Sequence, residues 1–254
     1  MKLRILGCGT SSGVPRIGTE WGDCDPAEPR NRRRRVSILV EYEGTRILVD
    51  TSPDLREQLL DADVAHLDGV IWTHDHADHC HGIDDLRAVF HVRGNALPGY
   101  ARPETLASLT ARFTYAFAGI GGYPPMLDGR DLGDCIDIGG IAVRAVDQPH
   151  GDILSTGLRF EAAGVAIGYS TDCNVLTDEM RDLFEGVDAW IVGALRRQPH
   201  PSHASLAEAL EWISAIRPKR AILTHMDHSM DYARLVAELP PGIEPGYDGL
   251  EILL

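Results

Sequence analysis

The sequence predicts an α/β protein of four layers, α/β/β/α, in which two mixed β-sheets are flanked by helices on their outer surfaces. Short apolar or alternating segments typical of strands dominate both halves of the chain, and helical patterns are interspersed between them. Neither a sequence repeat nor a low-complexity linker divides the 254 residues. We therefore expect one domain, residues 1–254, which is long enough to bury a large core.

The first half of the chain alternates strand and helix patterns. Strands are predicted at residues 2–6, 36–42, 45–49 and 68–72. Helical apolar spacing covers residues 54–60, 83–90 and 103–113. Asp84 and Asp85 are expected to begin or cap the second of these helices. Residues 115–133 are rich in Gly, Pro and aromatic residues without a clear period, and we interpret them as a lid or substrate loop.

The second half continues the alternation. A hairpin through Gly139-Gly140 is predicted for residues 135–146. Further strands are predicted at residues 154–160, 165–169, 189–192 and 220–223, and residues 250–254 are expected to close the chain. Helices are predicted at residues 176–184, 204–216 and 232–239.

Composition excludes several classes of protein. Apolar residues at 44% and charged residues at 24% are ordinary for a soluble globular protein. A net charge of -14 disfavours non-specific binding to nucleic acid or anionic lipid. No run approaches the roughly 18–20 apolar residues of a membrane span, and the N-terminus lacks a signal-peptide core. The five cysteines are scattered and form no CxxC pair, so we expect a cytoplasmic protein without membrane partners.

The densest chemical signal is the segment Thr73-His74-Asp75-His76-Ala77-Asp78-His79, directly after the apolar residues 69–72. An extended His-x-His pair directs both rings to one side, because strand side chains alternate. A helical turn after it can bring Asp78 and His79 to the same pocket. Metal sites need neutral imidazoles and ionised carboxylates converging on one point. We therefore favour a binuclear metal site over a solvated polar loop.

Three further motifs follow apolar strands. They are Gln148-Pro149-His150-Gly151, Tyr169-Ser170-Thr171-Asp172 and Thr224-His225. Each places a potential ligand at one rim of a sheet, where α/β proteins collect functional groups. One such case is weak, but three together with the histidine cluster argue against coincidence.

This ordered set resembles the signature of the metallo-β-lactamase superfamily. The resemblance implies that His74, His76 and His150 bind one divalent metal ion, that Asp78, His79 and His225 bind a second, and that Asp172 bridges the two. Asp50 resembles the early acidic motif of the superfamily. We interpret it as a residue that orients the site by hydrogen bonding, with a helix N-cap as the alternative.

The predicted ligands are all nitrogen or oxygen donors. Such a set suits two Zn²⁺ ions, with Mn²⁺ as a substitute. Two metals lower the pKa of a bridging water and neutralise a phosphoryl oxygen. The expected mechanism is therefore attack by a metal-bridged hydroxide on phosphorus or on a carbonyl.

Several segments resemble one branch of the superfamily, which contains phosphoribosyl 1,2-cyclic phosphate phosphodiesterase. They are residues 6–15, 30–34, 200–206, 224–228 and 246–251. The resemblance implies a small phosphodiester substrate, cyclic or nucleotide-like, and a homodimer. It also implies that His203 stabilises charge or protonates the leaving oxygen, so His203 and the ligand Asp78 are the predicted catalytic residues. The alternative for His203 is a purely structural start of the following helix.

Two flanking features need separate interpretation. Members of this branch can carry a structural zinc on clustered N-terminal cysteines and a histidine at the position of His228. Only Cys24 occupies the corresponding segment here, so we predict that this third metal is absent.

The run Arg30–Arg35 either contacts a substrate phosphate or is a solvated basic stretch. His66, His81, His91 and His200 have no ligand-like context.

Three other functions are also compatible with the sequence. A nuclease of the tRNA-maturation type within the same superfamily is disfavoured by the acidic charge. A thioester or lactam hydrolase is disfavoured by the phosphodiesterase-like segments. A protein of a different class, a non-catalytic sensor of a phosphorylated metabolite, is disfavoured by the complete ligand set.

Overall fold

The computed structural model describes residues 1–254 and contains two seven-stranded sheets. The strands are β1 Lys2–Gly7, β2 Ser37–Tyr42, β3 Thr45–Val49, β4 Gly69–Ile71, β5 Leu97–Ala101, β6 Leu127–Asp131, β7 Cys135–Ile138, β8 Ile141–His150, β9 Ile153–Ala162, β10 Val165–Ser170, β11 Ala189–Gly193, β12 Arg220–Thr224, β13 Ile243–Pro245 and β14 Glu251–Leu253. The α-helices are α1 Leu55–Asp61, α2 Ala77–Cys80, α3 Leu86–Arg93, α4 Pro103–Arg112, α5 Thr114–Ala118, α6 Asp178–Phe184, α7 Leu206–Ile216 and α8 Tyr232–Glu238.

Both sheets are mixed, as predicted. The first has the order β14-β1-β2-β3-β4-β5-β6, and the second has the order β13-β12-β11-β10-β9-β8-β7. Strands β3 to β6 pair in parallel, as do β10 to β13, while the other neighbours pair antiparallel. Strand β14 pairs with β1 in the register Lys2 to Leu253, which brings the two ends of the chain together.

The hydrophobic core confirms the four layers. In β2, Ile38 and Val40 belong to a cluster of 45 buried residues that spans both sheets, whereas Leu39 belongs to a separate cluster of 19. This alternation follows from the two-residue period of a strand. The smaller cluster also contains residues of α1, α3 and α4, so these helices cover the first sheet. The larger cluster includes Phe184 of α6 and Trp212 of α7, which cover the second.

The carboxyl ends of the inner strands collect the chemically active residues. Asp50 directly follows β3, and His74 lies three residues after the end of β4. Asp172 lies two residues beyond β10, and His225 immediately follows β12. His150 is the last residue of β8. The strands of both sheets therefore present these side chains at a common rim.

Several predicted elements need correction. Residues 115–133 are not an irregular lid, because they contain most of α5 and the edge strand β6. β6 is polar apart from Leu127, and its hydrogen bonds to β5 make it a strand despite that pattern. β5 itself was not predicted, since Pro98 and Gly99 weaken its strand signal.

Helix boundaries agree with the predictions to within a few residues. The segment predicted as one helix at residues 83–90 is a 3₁₀ turn, Ile83–Asp85, followed by α3, so Asp84 and Asp85 do begin the helical segment. α7 starts at Leu206 behind a capping box formed by Ser205 and Glu208. No helix has both the length and the apolar character that crossing a membrane requires.

Candidate metal centre

Seven side chains from both halves of the chain converge at the common rim. One group consists of His74, His76, His150 and Asp172, and the other of Asp78, His79, Asp172 and His225. Within each group the potential ligand atoms lie within 4.8 Å of one another. These are the seven residues predicted as metal ligands, and the structure brings all of them together.

Asp172 belongs to both groups and lies between them. Its Oδ2 is 3.7 Å from His74 Nε2 and 3.6 Å from His150 Nε2. Its Oδ1 is 3.2 Å from His225 Nε2. Its Oδ2 is also 3.4 Å from His79 Nε2, so the Asp172 carboxylate contacts histidines of both groups.

Asp78 completes the second group. Its Oδ2 is 3.5 Å from His79 Nε2 and 3.4 Å from His225 Nε2. Asp78 and His79 lie on the short helix α2, and one helical turn gives both side chains access to the group. Asp75 points elsewhere, because its carboxylate accepts a hydrogen bond from Ser108 at 2.5 Å.

Hydrogen bonds on the far side of the rings orient the histidines. Asp50 Oδ2 is 2.7 Å from His79 Nδ1, and Asp50 also accepts hydrogen bonds from the backbone and hydroxyl of Thr73. His150 Nδ1 is 2.7 Å from the carbonyl oxygen of Ser202. Asp50 is fully buried and does not cap α1, whose N-cap is Asp54, so the N-cap alternative is wrong. Such contacts fix the ring nitrogen that faces a metal.

Electrostatics keep His74, His150 and Asp172 in a form suited to cations. Burial, together with the neighbouring His79, holds the pKa of His74 well below its usual value. Burial also lowers the pKa of His150 to about 4. Burial alone would raise the pKa of Asp172, but the facing histidines outweigh it and hold that pKa well below the usual range. His74 and His150 are thus neutral and Asp172 is ionised near neutral pH.

The electrostatics of His79 differ from those of His74 and His150. Burial disfavours its charged form, but Asp172, Asp78 and Asp50 together raise its pKa well above the usual value. His74 Nε2 and His79 Nε2 are buried and have no hydrogen-bond partner. Buried polar atoms without partners are costly, and a cation at each group would satisfy them. The donors, all nitrogen and oxygen, suit Zn²⁺ or Mn²⁺. The residues present therefore fit a pair of divalent metal ions.

His203 lies beside this centre without belonging to either group. Its Nε2 is 3.2 Å from Asp172 Oδ2, and its ring stacks on His225 with centroids 5.1 Å apart. Its Nδ1 lies 2.9 Å from the hydroxyl of Ser202. α7 begins only at Leu206, behind the Ser205 cap, so starting that helix is not the role of His203.

A cavity of about 360 Å³ opens beside the centre. His76, Asp78, Asp172, His203 and His225 line it. Sequence reasoning missed other lining residues, namely Arg16, Leu195, Arg196, His200 and Asp227. The Thr10-Ser11-Ser12 loop, within the segment 6–15 that resembles the phosphodiesterase branch, also lines the cavity.

None of the residues Arg30–Arg35 lines this cavity, and a contact between this run and a substrate phosphate stays a prediction. Arg34 pairs with Asp61 at 2.6 Å and Arg35 with Asp54 at 3.0 Å. Arg33 is buried and donates hydrogen bonds to the carbonyl oxygens of Asp227 and Met230. Arg30 and Arg32 are exposed, whereas Arg33, Arg34 and Arg35 connect loops.

The segment that resembles a structural zinc site has different contacts here. Cys24 is buried and lies 3.8 Å from Arg33 Nη1. His228 Nε2 is 3.4 Å from Glu20 Oε1. The absence of a third metal stays a prediction. None of the four histidines without ligand context, His66, His81, His91 and His200, belongs to either ligand group, although His200 lines the cavity.

Comparison with known proteins agrees with this geometry. Residues 45–226 match the family described as the β-lactamase superfamily domain, and this range contains all seven candidate ligands. The chain belongs to the metallo-β-lactamase superfamily. This confirms the resemblance found in the sequence.

Similar proteins carry several different names. A solved structure of a diphosphatase from the PhnP family is 32% identical, with a TM-score of 0.91, and the match covers 100% of this chain and 97% of that one. An octanoyltransferase of Porphyromonas gingivalis is 33% identical over 264 residues, which cover 100% of this chain and 52% of that protein. A ribonuclease Z of Bradyrhizobium diazoefficiens is 31% identical over 140 residues, which cover 53% of this chain and 46% of that protein. The matches thus span about half the length of these two relatives.

Proposed function

We propose that this protein is a binuclear metal-dependent phosphodiesterase that hydrolyses a small phosphodiester, cyclic or nucleotide-like. The observation that carries the proposal is the position of Asp172, which is shared by two four-residue groups and lies 3.2 Å from His203. The similarity to a diphosphatase over the whole chain supports phosphorus chemistry. Zn²⁺ fits the donor set, and Mn²⁺ is the expected substitute.

Two divalent cations, when bound, supply a water of lowered pKa and neutralise charge on phosphoryl oxygens. The residues of the chain have distinct tasks around them. Asp172 contacts histidines of both groups, and Asp78 adds a second carboxylate beside His79 and His225. Asp50 holds the ring of His79 in one orientation.

His203 is the proposed general acid. Its Nε2 faces the cavity side of Asp172, and the Ser202 hydroxyl at Nδ1 limits rotation of the ring. A protonated His203 can donate from Nε2 to the oxygen that leaves phosphorus. Proton donation to a leaving alkoxide contributes about 10²–10⁴-fold to the rate.

A nuclease of the ribonuclease Z type is the second candidate. The match to ribonuclease Z over 140 residues favours it, but the net charge of -14 is unfavourable for binding RNA. A cavity of about 360 Å³ is also of a size suited to a small molecule.

The test compares three substrates on protein that has been stripped of metal and reloaded with Zn²⁺ or Mn²⁺. We expect metal-dependent turnover of bis-p-nitrophenyl phosphate, and little hydrolysis of a thioester such as S-lactoylglutathione or of a precursor tRNA. Preferred cleavage of the thioester or the tRNA would replace the proposal with that activity. Binding of phosphodiesters without any turnover would indicate a sensor.

The variant His203→Asn tests the proposed general acid without removing a predicted metal ligand. We expect kcat for 2′,3′-cyclic AMP, whose leaving group is an alkoxide, to fall by about 10²-fold or more, with two metal ions still bound. His66→Asn is the matched control, because His66 is exposed and distant from the cavity lining. Loss of bound metal in the His203 variant would contradict the role assigned to this residue.

A further inference from the structure

Gln148 opens the motif that contains the predicted ligand His150, but it has no task in the proposed mechanism. It lies in β8, two residues before His150. Its side chain is fully buried, although the amide carries two N–H donors and an acceptor oxygen. Burying an amide is costly unless its polar atoms have partners, so the contacts of this side chain indicate its role.

The amide of Gln148 reaches across β9 to the end of β10. Its Nε2 is 3.2 Å from the hydroxyl of Ser155 on β9 and 3.2 Å from the carbonyl oxygen of Thr171, which directly follows β10. Its Oε1 accepts a hydrogen bond from the hydroxyl of Ser170 at 2.5 Å. Because a carbonyl oxygen can only accept, the amide atom that faces Thr171 is the nitrogen. One side chain therefore connects three neighbouring strands.

The same hydrogen bonds continue to the predicted bridging ligand. The hydroxyl of Ser155 donates to the carbonyl oxygen of Asp172 at 2.7 Å, and the hydroxyl of Thr171 donates to Asp172 Oδ1 at 2.7 Å. Ser155, Ser170 and Thr171 are all buried. Asp172 is thus held at its backbone by Ser155 and at its carboxylate by Thr171, and Gln148 contacts both of these residues.

Gly157 supplies the space that the amide needs to cross β9. A Cβ at Gly157 would lie 2.7 Å from Gln148 Oε1. Ser155 is the cross-strand partner of Gln148, and Gly157 lies two residues further along β9, on the same face of the strand. The strand between β8 and β10 therefore lacks a side chain where the amide of Gln148 passes over it.

We infer that Gln148 is a positioning residue that sets where the carboxylate of Asp172 lies relative to the ring of His150. The inference rests on the proposed function, because it treats His150 and Asp172 as ligands of a metal pair. His150 shares β8 with Gln148, and Asp172 is at the other end of the hydrogen bonds through Ser155 and Thr171. His150 Nε2 is 3.6 Å from Asp172 Oδ2 in this arrangement.

The zinc affinity of Gln148→Met tests this role. Methionine has about the same length as glutamine but donates no hydrogen bond, so Thr171 and Ser155 lose the amide N–H groups. We expect the affinity for Zn²⁺, measured by competition with a chelator, to fall by about 10–100-fold. The visible absorption of the Co²⁺-loaded protein should also change, because it reports the arrangement of ligands around the ion.

A second variant, Ser155→Ala, makes a smaller change in the same hydrogen bonds. It removes the contact with the carbonyl oxygen of Asp172 and leaves Gln148 and Thr171 in place. We expect it to weaken Zn²⁺ binding by about 3–10-fold, the effect of about one hydrogen bond. This variant decides the question should Gln148→Met not fold.

Asn31→Leu is the matched control. Asn31 is also fully buried, and its amide group bonds to Asp25, Asp231 and Tyr232 at 3.1, 2.7 and 2.8 Å. It belongs to neither ligand group and does not line the cavity. This variant should lower the temperature of thermal unfolding, as Gln148→Met should, but keep the wild-type zinc affinity and Co²⁺ absorption. The comparison separates positioning of the ligands from a general loss of stability.

The outcomes distinguish this inference from the proposed function. Folded Gln148→Met and Ser155→Ala variants with wild-type zinc affinity and unchanged Co²⁺ absorption would overturn the positioning role alone. Equal weakening of zinc binding by Asn31→Leu would overturn it as well, since loss of any buried amide would then have the same effect. A wild type that binds two ions but hydrolyses no phosphodiester would contradict the proposed function alone, because the zinc affinities still decide the role of Gln148.

Discussion

Asp172, His225 and Asp50 share an uncommon backbone conformation. Their φ angles are +39°, +56° and +61°, in the left-handed region that residues other than glycine rarely adopt. Each lies within two residues of the end of an inner strand. Such conformations cost about 1–3 kcal/mol each and persist where the surrounding structure imposes them, typically at functional sites. The strain here coincides with two predicted ligands and the residue that orients a third.

Asp50→Asn tests whether a residue outside both ligand groups controls metal binding. One carboxylate oxygen serves His79 and both serve Thr73, and an amide cannot accept all of these hydrogen bonds. We expect zinc affinity, measured by competition with a chelator, to fall by about 10–100-fold. Asp75→Asn is the control, since Asp75 is near the ligands in sequence but contacts Ser108 instead. Equal affinities in the two variants would refute an orienting role for Asp50.

At the residue scale, the sequence predicted the ligands better than the substrate cavity. Each ligand motif follows an apolar strand, so its place at the rim follows from strand direction alone. Arg16, Arg196 and His200 lie on loops whose approach to the cavity depends on tertiary contacts. The ion pairs of the run Arg30–Arg35 were missed for the same reason. Its partners Asp54 and Asp61 lie about twenty or more residues away, and nothing local in the sequence reveals those ion pairs.

At the scale of elements, the short helix α2 is positioned by its contact with the segment after β3. Gly82 follows α2, and its backbone N–H donates to the carbonyl oxygen of Thr51 at 2.9 Å. A Cβ at Gly82 would lie 2.1 Å from the carbonyl oxygen of Ser52. The close approach of these two backbones holds Asp78 and His79 against the rim.

Gly82→Ala should therefore disturb both stability and metal binding. We expect the free energy of unfolding to fall by more than about 2 kcal/mol, since backbone atoms must move apart, and zinc affinity to fall with it. Gly164→Ala provides the comparison, because Gly164 has φ +79° in a hairpin with open space around it. It should lose about 1–2 kcal/mol through its left-handed conformation alone, with unchanged zinc affinity. Wild-type zinc binding by Gly82→Ala would show that this contact does not position α2.

The sequence predicted the elements that have a strong hydrophobic period. It did not predict the elements whose conformation depends on hydrogen bonds to another strand. β2 alternates between the two core clusters, and α7 has both an apolar face and a capping box. β6 has one buried residue, and its strand conformation comes from hydrogen bonds to β5 at the sheet edge. Pairing with a distant segment overrides local propensity in such cases.

At the scale of the whole molecule, Asp248 joins three distant segments. Its carboxylate accepts hydrogen bonds from the backbone N–H groups of Cys8 and Arg34, at 3.2 and 2.8 Å. Burial raises the pKa of Asp248 to about 7, although these two N–H groups favour its charged form. Asp248 therefore links segments near the two ends of the chain, and its contribution to the free energy of unfolding depends on pH.

The sign of that dependence follows from proton linkage. Between the unfolded pKa near 3.8 and the folded pKa of about 7, the folded state keeps a proton that the unfolded state releases. Asp248 thus favours folding at low pH, and this contribution is lost as pH rises through that window. Relative to Asp248→Asn, the wild type should lose up to about 1.4 kcal/mol of unfolding free energy per pH unit.

Denaturant unfolding of both proteins from pH 4 to pH 8, with chelator present so that metal release does not contribute, measures this difference. A falling difference between wild type and variant supports the linkage. Parallel pH profiles would contradict the raised pKa of Asp248.

The two sheets meet at the metal centre, which takes His74, His76, Asp78 and His79 from the first half of the chain and His150, Asp172 and His225 from the second. Metal that binds only the folded protein stabilises it by mass action. Metal ions bound at this candidate centre would therefore connect the two halves of the fold.

Titration of the metal-free protein with Zn²⁺ in a calorimeter, combined with elemental analysis, tests this centre most directly. We expect two ions per wild-type chain, one ion for His225→Ala, and severely weakened binding of both for Asp172→Ala. A wild-type chain that binds one ion or none, or an Asp172→Ala variant that still binds two with wild-type affinity, would contradict a pair of cations joined by Asp172.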